Sequence, residues 1–362
     1  MSGTEKKCYL IFQNQYLNNM DLNQIQYNIK LSQNENPFGP SPKAIEAVLN
    51  NCNKVSVYPE PHSTSLITRL AEKLNLSNEK IFVSSGLIES IDILIRNFIA
   101  KDENLIIPEL TFVAYKILAD IFKKEVRLSK MKDFGVDVED ILSRYDDKTK
   151  AIIVANPNNP TGTVISENEL IKILDYVQLS TLVVIDEAYL EYANHPDFPD
   201  TLKLQKKYPN LIVMRTFSKI YGLAGLRVGY AIATEELIKQ FNYYQAPFTV
   251  NKMAAIAAYN AIDDDGFVKM CSVANSTSRE KLFNEITSMG WKVVPSEGNF
   301  LFVHFDNEKD RDFFFDLLEE KKVLVRKTDL FGEKRAFRIT IGTPEMNDVV
   351  IKYLREIKVM NY

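Results

Sequence analysis

The chain has 362 residues, of which 46% are hydrophobic and 25% charged, and a formal net charge of −4. Such a composition suits a folded globular protein with one large α/β unit and a smaller companion, and its acidic balance argues against nucleic acid or an anionic membrane as main partner. Cys8, Cys52 and Cys271 are too few and too far apart for a disulfide framework, and no CxxC or His-rich spacing marks a metal site.

The first residues, MSGTEKKCYLIFQNQYLNN, carry an apolar run too short and too interrupted for a secretory signal. No stretch approaches the roughly 18–20 apolar residues of a membrane span, so a cytoplasmic location is expected. Residues 33–42, QNENPFGPSP, read as an irregular loop after a short extended segment. From about 64 to 250 the pattern alternates. LITRLAEKL is helical, IFVSS a strand, LIESIDILIRNFIA an amphipathic helix, NLIIP a strand, FVAYKILADIFKK a helix and EVRLS a strand. AIIVAN, ENELIKILDYV, TLVVIDEA, LIVMRTFS and RVGYAIA continue as strand, helix and three strands. Short Ile/Val/Leu runs separated by helices predict a mainly parallel sheet covered on both faces. Beyond 251 a long helical pattern leads to WKVVP, NFLFVHF, RDFFFDLLEEKKVLVR, FRITIG and a final helix, VVIKYLREIKV. The expected division is an N-terminal arm, 1–40, packing with the small domain, a large α/β domain, 41–250, and a small α+β domain, 251–362, entered through a long helix.

In open α/β sheets, ligands sit beyond the carboxyl ends of the strands. Here AIIVAN runs into Asn159, TLVVI into Asp186 and Tyr189, LIVMRTF into Ser218 and Lys219, and IFVSS into Gly86 at a helix start. Taken singly, each has an ordinary reading. Asp186 could be a helix N-cap, Asn159 a turn residue, Tyr189 half-buried core and Arg227 half of any ion pair. Their joint placement on one rim matches what pyridoxal phosphate needs. A lysine holds the aldehyde, a carboxylate keeps the pyridine nitrogen protonated, and an amide and a phenol serve the ring oxygen. A helix N-terminus, hydroxyls and an arginine take the phosphate.

NPNNPTG, DEAY and TFSKIYGLAGLRVGY, in that order, resemble the fold-type I pyridoxal-phosphate aminotransferases. Within them, NENPFGPSP, VYPEP and FRITIGTPEMN are similar to the histidinol-phosphate aminotransferases, and the resemblance runs from about residue 30 to the end. It implies a Schiff base on Lys219, which also moves the α-proton. Asp186 would pair with the pyridine nitrogen, and Asn159 and Tyr189 with the 3-oxygen. Thr216, Ser218, Arg227 and the backbone N–H groups of Leu87 and Ile88 would hold the phosphate, with Phe112 stacked on the ring. Tyr58 would reach the site of a neighbouring subunit, so a homodimer is implied. Arg326 and Arg338, each a plausible strand-edge charge, match a pair that clamps the substrate's anionic end. The implied reaction is transamination of histidinol phosphate, with glutamate and 2-oxoglutarate as the amino partner.

The chain departs from the family at Gly86-Leu87-Ile88-Glu89, where a Gly-Ser-Asp-Glu type of turn is usual, leaving only backbone donors. Threonine-phosphate decarboxylases and aromatic or secondary-metabolite aminotransferases share the frame. A non-catalytic ligand-binding regulator would retain the fold with an added DNA-binding segment, and no basic helix-turn-helix pattern is present. His62, His195 and His304 are scattered and expected to be structural or exposed. Tyr243 and Tyr244 are expected in helix packing, Asp263-Asp264-Asp265 in a solvated loop, and Phe313-Phe314-Phe315 in the small-domain core.

Overall fold

The computed structural model describes residues 27–360, so Cys8 and the first 26 residues of the expected arm lie outside it. Seven strands form the central sheet: β1 (Ile81–Ser84), β2 (Asn104–Pro108), β3 (Glu125–Ser129), β4 (Thr149–Ala155), β5 (Leu182–Asp186), β6 (Leu211–Thr216) and β7 (Gly229–Ile232). Their order is β1-β7-β6-β5-β4-β2-β3. All neighbours are parallel except β7, which runs antiparallel to β1 and β6. The mainly parallel sheet expected from the apolar runs is therefore present, and one antiparallel strand leaves β1 pointing the same way as the rest.

The continuous apolar runs follow from burial on both faces, since successive side chains of a strand point to opposite sides. Ile152, Val154, Val183 and Ile185 enter one hydrophobic core, whereas Ile153, Ala155 and Val184 enter the other. The five helices that matter below are α1 (Pro42–Asn51), α2 (Thr64–Leu74), α3 (Leu87–Asn97), α4 (Ala114–Ile121) and α5 (Lys252–Ala261). The fourth is shorter than FVAYKILADIFKK suggested, because the chain turns away just beyond it with Lys123 at a left-handed φ of 53°.

A four-stranded antiparallel sheet, β8 (Lys292–Val294), β9 (Phe300–His304), β10 (Arg326–Lys327) and β11 (Ala336–Thr340), is ordered β8-β9-β11-β10 and carries a separate core. The two cores meet along the 24-residue helix α6 (Asp265–Ser288): its Phe267 and Cys271 belong to the large core, its Leu282 and Ile286 to the small one. The alanines of α5, a helix expected to lie past the boundary at 250, pack into the large core beside α1. Ile29–Lys30 pairs in parallel with Val323–Leu324 as a separate two-stranded sheet, and Ile29, Leu31 and Val323 enter the small core, so this part of the arm packs there.

Three smaller expectations change. Asp263, Asp264 and Asp265 are not simply solvated, since they bond Arg69, Ser41 and Lys73 and fasten α1 and α2 to the start of α6. Of the three phenylalanines only Phe314 is fully buried; helical rotation turns Phe313 to the surface. Tyr243 is exposed, because the buried face of its helix is carried by Ile238 and Phe241, whereas Tyr244 keeps an edge-on contact with Phe98 just past α3, ring centroids 6.2 Å apart.

Candidate active site

The carboxyl ends of β1, β2, β4, β5 and β6 share one rim, and the small sheet and residues 32–34 of the arm close over it. Between them lies a cavity of about 300 Å³, within the range of small-molecule sites. Its lining includes twelve of the thirteen residues singled out from sequence: Leu87, Ile88, Phe112, Asn159, Asp186, Tyr189, Thr216, Ser218, Lys219, Arg227, Arg326 and Arg338. The thirteenth, Tyr58, is not among them. It is 80% exposed on the outer surface and packs against Phe248, with ring centroids 5.1 Å apart.

Asp186 ends β5 and is buried. Its Oδ2 accepts from the Tyr115 hydroxyl at 2.7 Å and its Oδ1 from the Ala188 N–H at 3.0 Å. Burial raises its pKa, while the Tyr115 and Ala188 bonds and the charge of Lys219 pull it back. A cation brought to this carboxylate would favour its charged form. Tyr115, fully buried on α4, escaped the sequence reading; the available signal was its spacing of one helical turn from Phe112, against which its ring packs edge-on at 5.5 Å.

The other groups are arranged around this carboxylate. Lys219 Nζ donates to the Gln33 carbonyl at 3.2 Å and lies 5.5 Å from the centre of the Tyr189 ring. Asn34 Nδ2 donates to the Tyr189 hydroxyl at 2.9 Å. Arg338 donates to Asn159 Oδ1 at 2.5 Å and to the Ser32 carbonyl at 2.7 Å. With its oxygen engaged, the Asn159 amide keeps its N–H donors for the cavity.

One group of lining residues is suited to an anion. Gly86, at φ +74°, caps α3, whose first residues Leu87 and Ile88 line the cavity. A Cβ on Gly86 would sit 2.4 Å from Arg227 Nη2, so only glycine lets the guanidinium come this close. Thr216 Oγ1 donates to Ser218 Oγ at 3.0 Å, and Arg227 donates to the same oxygen at 3.4 Å. Thus a helix N-terminus, two hydroxyls and a guanidinium converge without the side-chain hydroxyl that the usual turn would add.

In the same lining Arg326 and Arg338 stand directly opposite each other in the antiparallel pair of β10 and β11. Like charges in this position repel. Burial, together with Arg326, lowers the Arg338 pKa to about 10, against a raising effect from Tyr189. Its guanidinium sits 5.4 Å from the Phe300 ring centre and 5.7 Å from that of Phe331, and its buried Nε has no partner. Among the described residues, neither Arg326, Arg338 nor Arg227 has a carboxylate partner. Four cations, Lys219, Arg227, Arg326 and Arg338, therefore face one carboxylate, Asp186, in the same lining. The cavity is built for ligands carrying several negative charges.

The whole chain is similar to known proteins. The histidinol-phosphate aminotransferase of Bacillus subtilis (strain 168) is 39% identical over 330 residues, 91% of each chain. The solved histidinol-phosphate aminotransferase of Sinorhizobium meliloti, in complex with pyridoxal-5′-phosphate, matches 93% of this chain and 92% of its own at a TM-score of 0.88 and 23% identity. The L-threonine-O-3-phosphate decarboxylase of Porphyromonas gingivalis matches 91% and 98% at a TM-score of 0.78 and 23% identity. These two structures speak for the fold alone. A family model for class I and II aminotransferases matches residues 27–354, and the chain belongs to that family.

Proposed function

We propose that this chain is a pyridoxal 5′-phosphate-dependent aminotransferase that acts on histidinol phosphate and uses glutamate and 2-oxoglutarate as the second amino pair. The observation that carries the reading is the cavity's excess of cations: Lys219, just past β6, Arg227, Arg326 and Arg338 share one lining with a single carboxylate, Asp186. The name of relatives 39% identical over 91% of the chain supports the choice of substrate.

The residues fit the cofactor. Arg227, Thr216, Ser218 and the N–H groups of Leu87 and Ile88 would hold its phosphate, while Asn159 and Tyr189 would donate to its ring oxygen. Asp186 would keep its pyridine nitrogen protonated, and Phe112 would cover the ring. Bound there, the cofactor supplies an electron sink for the substrate's α-carbon. Lys219 Nζ takes the α-proton and returns it, work that typically contributes on the order of 10²–10⁴-fold. Arg326 and Arg338 orient the substrate through its distal anion, phosphate in one half-reaction and carboxylate in the other, by paired charge-assisted hydrogen bonds.

Among the described residues no helix is long and apolar enough to cross a membrane. A homodimer accounts for the exposed Val55, Val57, Tyr58 and Phe248, with Tyr58 reaching the phosphate end of the second site. The direct test of the catalytic assignment is Lys219→Ala. That variant is expected to bind pyridoxal phosphate and to lose nearly all turnover of histidinol phosphate; near-normal turnover would sink the assignment.

A further inference from the structure

We propose that Asn34 is a positioning residue that fixes the direction of the Tyr189 hydroxyl, so that its proton is delivered into the cavity. The proposal rests on the functional reading above and extends it to a residue of the arm.

Asn34 is buried, with a left-handed φ of 56°, a conformation that asparagine tolerates better than most residues. Its backbone N–H donates to Thr340 Oγ1 at 3.0 Å, and the Thr340 hydroxyl donates back to Asn34 Oδ1 at 3.0 Å. Asn299 Nδ2 donates to the Asn34 carbonyl at 3.1 Å. These bonds orient the side-chain amide. Turning it over would remove the acceptor of the Thr340 proton, so Nδ2 faces Tyr189 and donates to its oxygen at 2.9 Å. A phenol has one proton to give. Having accepted from Asn34, Tyr189 gives that proton to an acceptor in the cavity it lines, since none of the described residues receives it. Asn34 thereby does for Tyr189 what Arg338 does for Asn159: each occupies the acceptor of its neighbour and leaves the donors for the ligand. Chained hydrogen bonds polarise one another, which strengthens the final donor.

The test follows the pH midpoint of the visible absorption of bound pyridoxal phosphate in the parent, Asn34→Gly, Tyr189→Phe and the double variant. Glycine accepts the left-handed backbone and keeps the N–H bonded to Thr340. A donor to the ring oxygen stabilises the deprotonated form, so its loss moves the midpoint to higher pH. Tyr189→Phe is expected to raise the midpoint by about 1–2 pH units. Asn34→Gly should raise it by roughly half as much, and should add nothing in the Tyr189→Phe background. Asn34→Asp, which keeps the shape but presents an acceptor to Tyr189, should raise the midpoint at least as far as Asn34→Gly. An unchanged midpoint in both Asn34 variants, or a shift that persists in full without the Tyr189 hydroxyl, overturns the proposal. A parent protein with no pyridoxal phosphate absorption would overturn the functional reading as well, whereas a normal band indifferent to Asn34 overturns this inference alone.

Discussion

Arg338 and Asn159, 179 residues apart in the chain, are joined by a buried hydrogen bond of 2.5 Å that couples the small sheet to the rim of the large one. The bond ties the proposed anion clamp to a residue proposed to face the cofactor, so on that reading a change in the clamp reaches both.

Arg338→Lys separates these roles. A lysine keeps a positive charge but cannot reach Asn159 and Ser32 in a fork while facing the cavity. Losing hydrogen bonds to a charged group at this buried site is expected to raise the KM for histidinol phosphate about 10- to 100-fold. Steady-state kinetics check it, and an unchanged KM would remove Arg338 from the clamp.

Gly86→Ala tests the anion cradle. The added methyl meets Arg227 at 2.4 Å and must also adopt φ +74°, so the guanidinium is displaced and the turn strained by roughly 1–3 kcal/mol. Affinity for pyridoxal phosphate should fall at least about 10-fold, a loss of about 1.4 kcal/mol. Titration of the cofactor-free protein measures it, and undiminished affinity would show that Arg227 does not hold the phosphate.

Tyr115→Phe tests Asp186. Without the phenol, the buried carboxylate loses a donor that lowers its pKa, so the pKa rises further. The charged form is present above that pKa and is lost as pH falls through it. Cofactor retention on acidification should therefore fail at a higher pH in the variant. Dialysis across a pH series decides the point; identical profiles would mean that Tyr115 does not tune the site.

Glu191 supplies a pH effect on stability. Burial raises its pKa to about 7 from an ordinary 4.5, against the pull of its own backbone N–H and Arg215 and with a push from Glu187. The folded state holds this proton more tightly than the unfolded chain, so stability falls as pH rises from 4.5 through about 7. Glu191→Gln should remove that slope and stabilise the protein at pH 8 by roughly 1–3 kcal/mol. Denaturant melts at about pH 5 and pH 8 would show it; an unaltered pH dependence would refute it.

Much of this site was legible because it is built at strand ends. Asp186, Lys219 and Asn159 each follow an apolar run that had to be a buried strand, and the rule that ligands sit beyond such ends gathers them. Arg326 and Arg338 needed the pairing of β10 and β11 to show that they oppose each other. Tyr115 and Asn34 were not legible as site residues, because their roles depend on hydrogen bonds across 71 and 155 positions of sequence. Tyr58 is exposed and does not line the cavity of its own chain, so its expected role depends on a second subunit.

Single-turnover reaction of the pyridoxal phosphate-loaded protein with histidinol phosphate, followed by absorbance and by product identification, decides between transamination and decarboxylation. An aminotransferase will lose the visible band and form pyridoxamine phosphate with one equivalent of the corresponding oxo-phosphate. An unchanged spectrum with histidinol phosphate, together with carbon dioxide and aminopropanol phosphate from phosphothreonine, would contradict transamination and make the chain a decarboxylase.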